Sequence, residues 1–169
     1  PAKDSLLSMI DSSLQAITAF ETDSVLQLLN SGDQFYFANR LFLLNLAALY
    51  TTGFECPDTA RVIPELRDMM QSVNLIYAHF QRAFPADSLP AEYLSLYRRC
   101  LEFVQASSTG FSQFDHFAFI RDFVNPLFSM NQAIIRARGS WSANYNDYSL
   151  NNQASSIFSK SLFSAQNSK

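Results

Sequence analysis

Gln34-Phe-Tyr-Phe-Ala-Asn-Arg-Leu-Phe-Leu-Leu-Asn-Leu-Ala-Ala-Leu-Tyr-Thr51 decides the fold. These eighteen residues hold no turn signal and no β-branched residue before Thr51, which favours one helix over the competing reading, a pair of buried strands. Phe35, Phe37, Leu41, Phe42, Leu44, Leu46, Leu49 and Tyr50 leave no wide polar face, and a helix apolar nearly all round is a central one. Leu41–Tyr50 is the most apolar run, but ten residues with Asn45 among them are half of what a membrane span needs. The run therefore predicts a buried helix.

The flanking sequence repeats the helical pattern. Downstream, Gly53 is suited to end the central helix in the left-handed conformation, and Pro57 prevents its continuation. A second long helix is predicted to start near Pro64, with an inward stripe of Leu66, Met69/Met70, Val73, Ile76/Tyr77 and Phe80. After the break at Phe84–Ser88, Ser88 is the expected N-cap of a helix with Pro90 and Glu92 in its first turn. That helix carries Leu89, Tyr93, Leu96/Tyr97, Cys100 and Phe103/Val104 inward and stops at Ser107–Gly110. A fifth pattern runs from about Ser112 to Arg138, with Phe114, Phe117, Ile120/Arg121, Val124, Leu127/Phe128, Asn131 and Ile134/Ile135 at spacings of three and four; Pro126 should kink or split it. Upstream, Asp4 is the expected N-cap of a helix to about Thr22 with Leu6, Ile10, Leu14 and Ile17 on one face. A short element follows at Val25–Asn30. The predicted fold is all-α: an antiparallel bundle of four to five helices with an aromatic-rich core over residues 1–139, and an irregular C-terminal tail over 140–169.

Composition agrees. The chain has 169 residues, enough for one domain that holds a core without disulfides or metals. Sixteen Phe and seven Tyr against one Trp point to ring-on-ring packing between helices, and a charged share of 16% excludes general disorder. A net charge of -3 offers no electrostatic footprint for nucleic acid. The start, Pro1-Ala-Lys-Asp, lacks the apolar core of a signal peptide. Cys56 and Cys100 make neither a disulfide framework nor a metal site; a single bridge remains open, and two buried free thiols are the preferred reading.

Catalytic signatures are missing. No Gly-x-Ser-x-Gly elbow, Gly-rich phosphate loop or Cys-x-x-Cys-His haem-attachment motif occurs. His79 and His116 have no carboxylate or second histidine at helical spacing, so they read as structural and no metal site is assigned. Arg121, Asp122 and Asn125 beside Pro126 form a polar patch, read as internal bracing rather than a ligand cluster. In the tail, Trp141, Tyr145, Tyr148, Phe158 and Phe163 follow no helical or strand period, so some should pack across helix grooves and others should stay partly exposed as partner-interface anchors.

Three stretches taken together carry a family resemblance: Gly53-Phe-Glu-Cys-Pro57 with Ile63-Pro-Glu-Leu66; Phe114-Asp-His-Phe-Ala-Phe-Ile-Arg-Asp-Phe-Val-Asn-Pro-Leu-Phe128; and Asn144-Tyr-Asn-Asp-Tyr-Ser-Leu150 through Ser156-Ile-Phe158 and Leu162-Phe163. Over roughly residues 35–163 the chain resembles the N-terminal helical region of Bacteroidetes-type cytochrome c peroxidase (MauG-like dihaem) proteins, itself distantly similar to imelysin-type bundles. The resemblance implies a periplasmic or exported accessory domain without catalytic residues. It would dock on cytochrome c-type haem domains in cis, on a redox partner protein, or on a second copy of itself. Haem c is then expected in downstream domains and no cofactor in this chain. The alternative implied is an imelysin-like ligand-binding or substrate-capture module, although the Gly-x-His-x-x-Glu signature of that group is absent.

Overall fold

Helix formers with apolar residues three and four apart dominate the chain, and in the computed structural model they form a succession of long helices. The structure describes residues 2–20, 32–53, 58–107, 110–138 and 150–163, with the side chains of the first helix described over 5–18. The long helices are α1 (Ala2–Phe20), α2 (Gly32–Thr52), α3 (Val62–Ala83), α4 (Ala91–Ala106) and α5 (Asn125–Arg138). Before α5 come one α-turn, His116–Ala118, and six residues of π-helix, Phe119–Val124. The expected element at Val25–Asn30 lies outside the described residues.

Helices α2 to α5 run up, down, up, down. Rings fix the order: Phe35 of α2 stacks on Phe80 of α3 at 3.7 Å, Tyr77 of α3 meets Tyr93 and Tyr97 of α4 edge-on, and Phe103 of α4 packs on Phe123 of the π-helix. Such ring pairs add about 0.5–1.5 kcal/mol each beyond the area they bury. Helix α5 closes the ring by packing along α2. The expected all-α bundle with an aromatic core is therefore present.

Local chemistry sets several ends. Gly53 terminates α2 with φ +64° and donates its N–H to the Leu49 carbonyl at 3.0 Å, as its freedom from a Cβ allows. Asp115 caps the turn after it, accepting from the Ala118 N–H at 2.9 Å. Two expected caps are not used. Helix α1 already includes Ala2, so Asp4 lies inside it. Pro90, not Ser88, is the N-cap of α4, because Gln81 of α3 takes over there: its Oε1 accepts from the Leu89 N–H at 2.6 Å and its Nε2 donates to the Leu89 carbonyl.

The proline in the fifth pattern does not split the helix, which runs on from His116 to Arg138. Pro126 has no N–H to give Asp122, and its ring would strike that carbonyl in α-register. The chain widens by one residue instead, and the Asn125 N–H reaches back five residues to Ile120. The buried residues accordingly fall five apart, at Phe119 and Val124. Phe117, expected inside at α-spacing, is 69% exposed under the Arg121 guanidinium.

Helix α2 also departs from expectation. Leu41 and Leu49 face water, and the buried positions include Asp33, Asn39 and Arg40. Every described side chain of α1 is exposed, including the expected inward stripe Leu6, Ile10, Leu14 and Ile17. Ile76 of α3 is exposed as well.

Candidate functional site: a polar knot in the core and a clipped tail

Asn39 sits in the second turn of α2 on the face toward α4 and α5, where its carboxamide meets groups from three other helices. Its Nδ2 donates to the Tyr93 hydroxyl at 2.8 Å and to Asn131 Oδ1 at 2.9 Å. Its Oδ1 accepts from the Tyr77 hydroxyl at 2.6 Å, and the two phenol oxygens lie 3.1 Å apart. Asn131 Nδ2 donates in turn to the Tyr36 carbonyl at 3.0 Å. One side chain thus ties α2, α3, α4 and α5 together. Asn131 and Tyr93 are fully buried, so partners for each polar atom are a condition of stability there.

The knot is chemically quiet. Burial pushes the Tyr93 phenol up to about 12, against the opposing pull of its bonds to Tyr77 and Asn39. Burial raises Tyr77 and Tyr97 well above the ordinary phenol value, and raises the Cys100 thiol too. All four groups stay protonated near neutral pH, and a protonated, buried thiol is a poor nucleophile. Cys100 is free. Cys56 lies outside the described residues.

A second polar cluster grows from the next residue of α2. Arg40, 7% exposed, donates to Asn152 Oδ1 at 2.6 Å and to Gln132 Oε1 at 3.4 Å, with its guanidinium over the Phe37 ring. Gln132 Nε2 donates to the carbonyls of Asn151 and Ala154. Asn125 Oδ1 accepts from Ser156 Oγ at 2.9 Å and the Ile157 N–H at 3.0 Å. Residues 150–163 are therefore held by Arg40 of α2 and by Asn125, Gln132 and Arg136 of α5. Their ends meet in a bridge between Leu150 and Phe163, with the Asn151 N–H donating to the Leu162 carbonyl, so the segment is a compact Ω-type loop. Leu150, Asn152, Ala154 and Leu162 face inward, whereas Phe158 and Phe163 are 66% and 70% exposed.

The residues singled out in the sequence are dispersed. Trp141, Tyr145 and Tyr148 lie outside the described residues. Arg121 and Asp122 do not brace the interior: they form a two-pronged pair at 2.6 Å on the surface, which raises the guanidinium and lowers the carboxyl. Asn125 is separated from that pair in role, as the acceptor that holds the tail. His79 is exposed beside Arg82, and His116 packs against the Phe111 and Phe114 rings with Nε2 2.7 Å from the Phe111 carbonyl. Among the described residues no group of three or more His, Cys, Asp or Glu is placed to hold a metal ion.

Sequence reading missed Asn39, Arg40, Gln132 and Asn152. The signal in the sequence is weak: Asn39, Arg40 and Gln132 are polar residues within apolar helical patterns, Asn152 lies in a polar stretch, and nothing in the spacing tells which of them will find partners. The chain matches no known family, and no curated protein or solved structure is found similar to it.

Proposed function

We propose that this chain is a non-catalytic docking module, the accessory helical domain of a periplasmic cytochrome c peroxidase-like protein, seated on c-type haem domains or on a redox partner. The observation that carries the reading is the tail loop. Asn125, within the Phe114–Phe128 motif that bears the resemblance, fixes the loop at Ser156 and Ile157 while Phe158 and Phe163 stay exposed. Aromatic rings held outward on an ordered backbone lose little entropy on binding and suit the anchors of an interface. No residue of this chain is assigned to haem. Among the described residues no helix is long and apolar enough to cross a membrane.

The test is calorimetric titration of the chain with the isolated haem domains of a dihaem peroxidase. The Phe158→Ser/Phe163→Ser variant should bind at least about tenfold more weakly, a loss of about 1.4 kcal/mol. Its melting temperature should match that of the parent, because exposed rings contribute little to folding. Absence of binding, or equal binding by the variant, refutes the reading, and a dimer seen by light scattering without haem domains points to a second copy as the partner.

For the alternative of imelysin-like ligand capture the candidate pocket is the groove between α2 and α3, lined by Phe35, Ala38, Phe42, Val73 and Ile76 with Asn39 and Tyr77 below. A ligand site needs a few convergent polar groups to orient its occupant. The polar atoms of Asn39 and Tyr77 are turned into the core knot, which weighs against that reading.

A further inference from the structure

We propose that α1 is the fifth element of the bundle, and that its apolar stripe seats in the groove between α2 and α3 of its own chain. The groove is where the ring of helices is least closed. Helices α2 and α3 meet through the Phe35–Phe80 stack toward one end and through Tyr50 and Met69, 3.3 Å apart, toward the other. Between those contacts lies an apolar groove of about 170 Å³. Ile76, which lines it, is 54% exposed, and Leu41 and Leu49, which follow Ala38 and Phe42 along α2 at helical spacing, are 53% and 39% exposed.

Helix α1 presents the matching surface. Leu6, Ile10, Leu14 and Ile17 recur at four, four and three residues and are all exposed, while Ser8, Asp11, Ser12 and Gln15 occupy the opposite face. The lengths agree as well. Leu6 to Ile17 and Ala38 to Leu49 are the same number of residues apart, and at 1.5 Å per residue each stripe is about 17 Å long.

Chain geometry selects α1 of the same molecule over that of a second copy. Residues 21–31 join α1 to α2, and eleven residues span at most about 36–40 Å. Packed helices stand about 8–10 Å apart, so an antiparallel return along α2 is well within reach. That return sets Ile17 near Ala38, Leu14 near Leu41 and Leu6 near Leu49. Docking within one chain does not depend on concentration, whereas capture of another molecule's α1 does. The expected result is a five-helix bundle whose α2/α3 groove is filled by aliphatic side chains and closed to other occupants.

Hydrogen exchange of the full chain, compared with a synthetic peptide of residues 1–20, tests the idea. Amides of residues 6–17 should exchange at least about ten times more slowly in the chain than in the peptide. Ile10→Glu/Ile17→Glu, and separately Ile76→Glu, should abolish that protection and leave the exchange of α4 and α5 unchanged; the substituted side chains are exposed, so the core of the four-helix bundle is untouched. In a Cys56→Ser background, Leu14→Cys/Ile76→Cys should oxidise to a disulfide within one chain. Exchange of α1 at the peptide's rate, protection that survives the glutamates, or a disulfide that links two chains would each overturn the proposal, the last in favour of a second copy as occupant.

Discussion

Replacing Asn39 with alanine should destabilise the bundle more than any surface change of similar size. The carboxamide makes three hydrogen bonds, to Tyr77, Tyr93 and Asn131. After its removal the Tyr77 and Tyr93 hydroxyls, 3.1 Å apart, still share one bond, but Asn131 Oδ1 loses its donor inside a site with no exposure. A buried acceptor left without a partner costs about 1–3 kcal/mol, and each lost neutral hydrogen bond a further ~0.5–1.5 kcal/mol. The unfilled space of the amide adds to this, so with the low end of each range the sum is about 3 kcal/mol. For a chain of this length that corresponds to a fall in Tm of about 6–12 °C. Urea unfolding followed by circular dichroism measures it, with an unchanged m-value as the sign that only stability moved. Asn74→Ala, on the exposed side of α3, is the control and should stay within about 0.5 kcal/mol. Pairing Asn39→Ala with Asn131→Ala should be non-additive by ~0.5–3 kcal/mol. A loss for Asn39→Ala below about 1 kcal/mol would refute the view that this side chain ties four helices together.

Three further outcomes follow from the geometry. Asn125→Ala removes the acceptor for Ser156 and Ile157, so the Ile157 amide should exchange about fivefold faster, the equivalent of ~1 kcal/mol, while α4 is unaffected; unchanged exchange would mean the loop is held elsewhere. Gly53→Ala places a Cβ 3.2 Å from the Phe111 ring at φ +64° and should cost at least about 1–2 kcal/mol in urea unfolding. Alkaline pH tests the buried phenols. Tyr93 moves from 10.0 to about 12 on folding and Tyr77 rises as well, so their contribution is complete below pH 10. Above it the unfolded phenols lose protons first, and stability declines as pH rises through the folded values. Phenolate absorbance of the native chain should therefore lag that of the urea-unfolded chain, and coincident titrations would contradict the burial.

Periodicity alone makes most of the helices legible. Leu66, Met70, Tyr77 and Phe80 fall on one face at helical spacing and are buried as a set, and Gly53 stops α2 because of its backbone freedom. These are local properties, decided by residues within one or two turns of each other. Where expectation and fold part, a residue farther along the chain or a change of helical phase is responsible. Ser88 is a good cap in isolation, but Gln81 of the preceding helix supplies the bonds. Phe117 fits the α-helical stripe, but the π-turn forced ahead of Pro126 shifts the phase and leaves the ring in water.

The candidate site divides along the same line. Phe158 and Phe163 could be suspected of interface roles from the sequence, because apolar residues without a period belong to no single buried face; that they stay exposed depends on the loop being closed by Leu150–Phe163 and held by Arg40, Gln132 and Asn125. Asn131 falls in the inward stripe of its helix, and Asn39 and Arg40 lie in the helix expected to be buried, but nothing in the sequence names their partners, and Asn152 gives no sign of being interior. Pattern assigns a polar residue to the surface by default, since burying it alone is unfavourable. Only when four helices bring Tyr77, Tyr93 and Asn131 within hydrogen-bond distance of one amide does the sign of that free energy reverse, and this convergence is a property of the tertiary structure rather than of any segment of the chain.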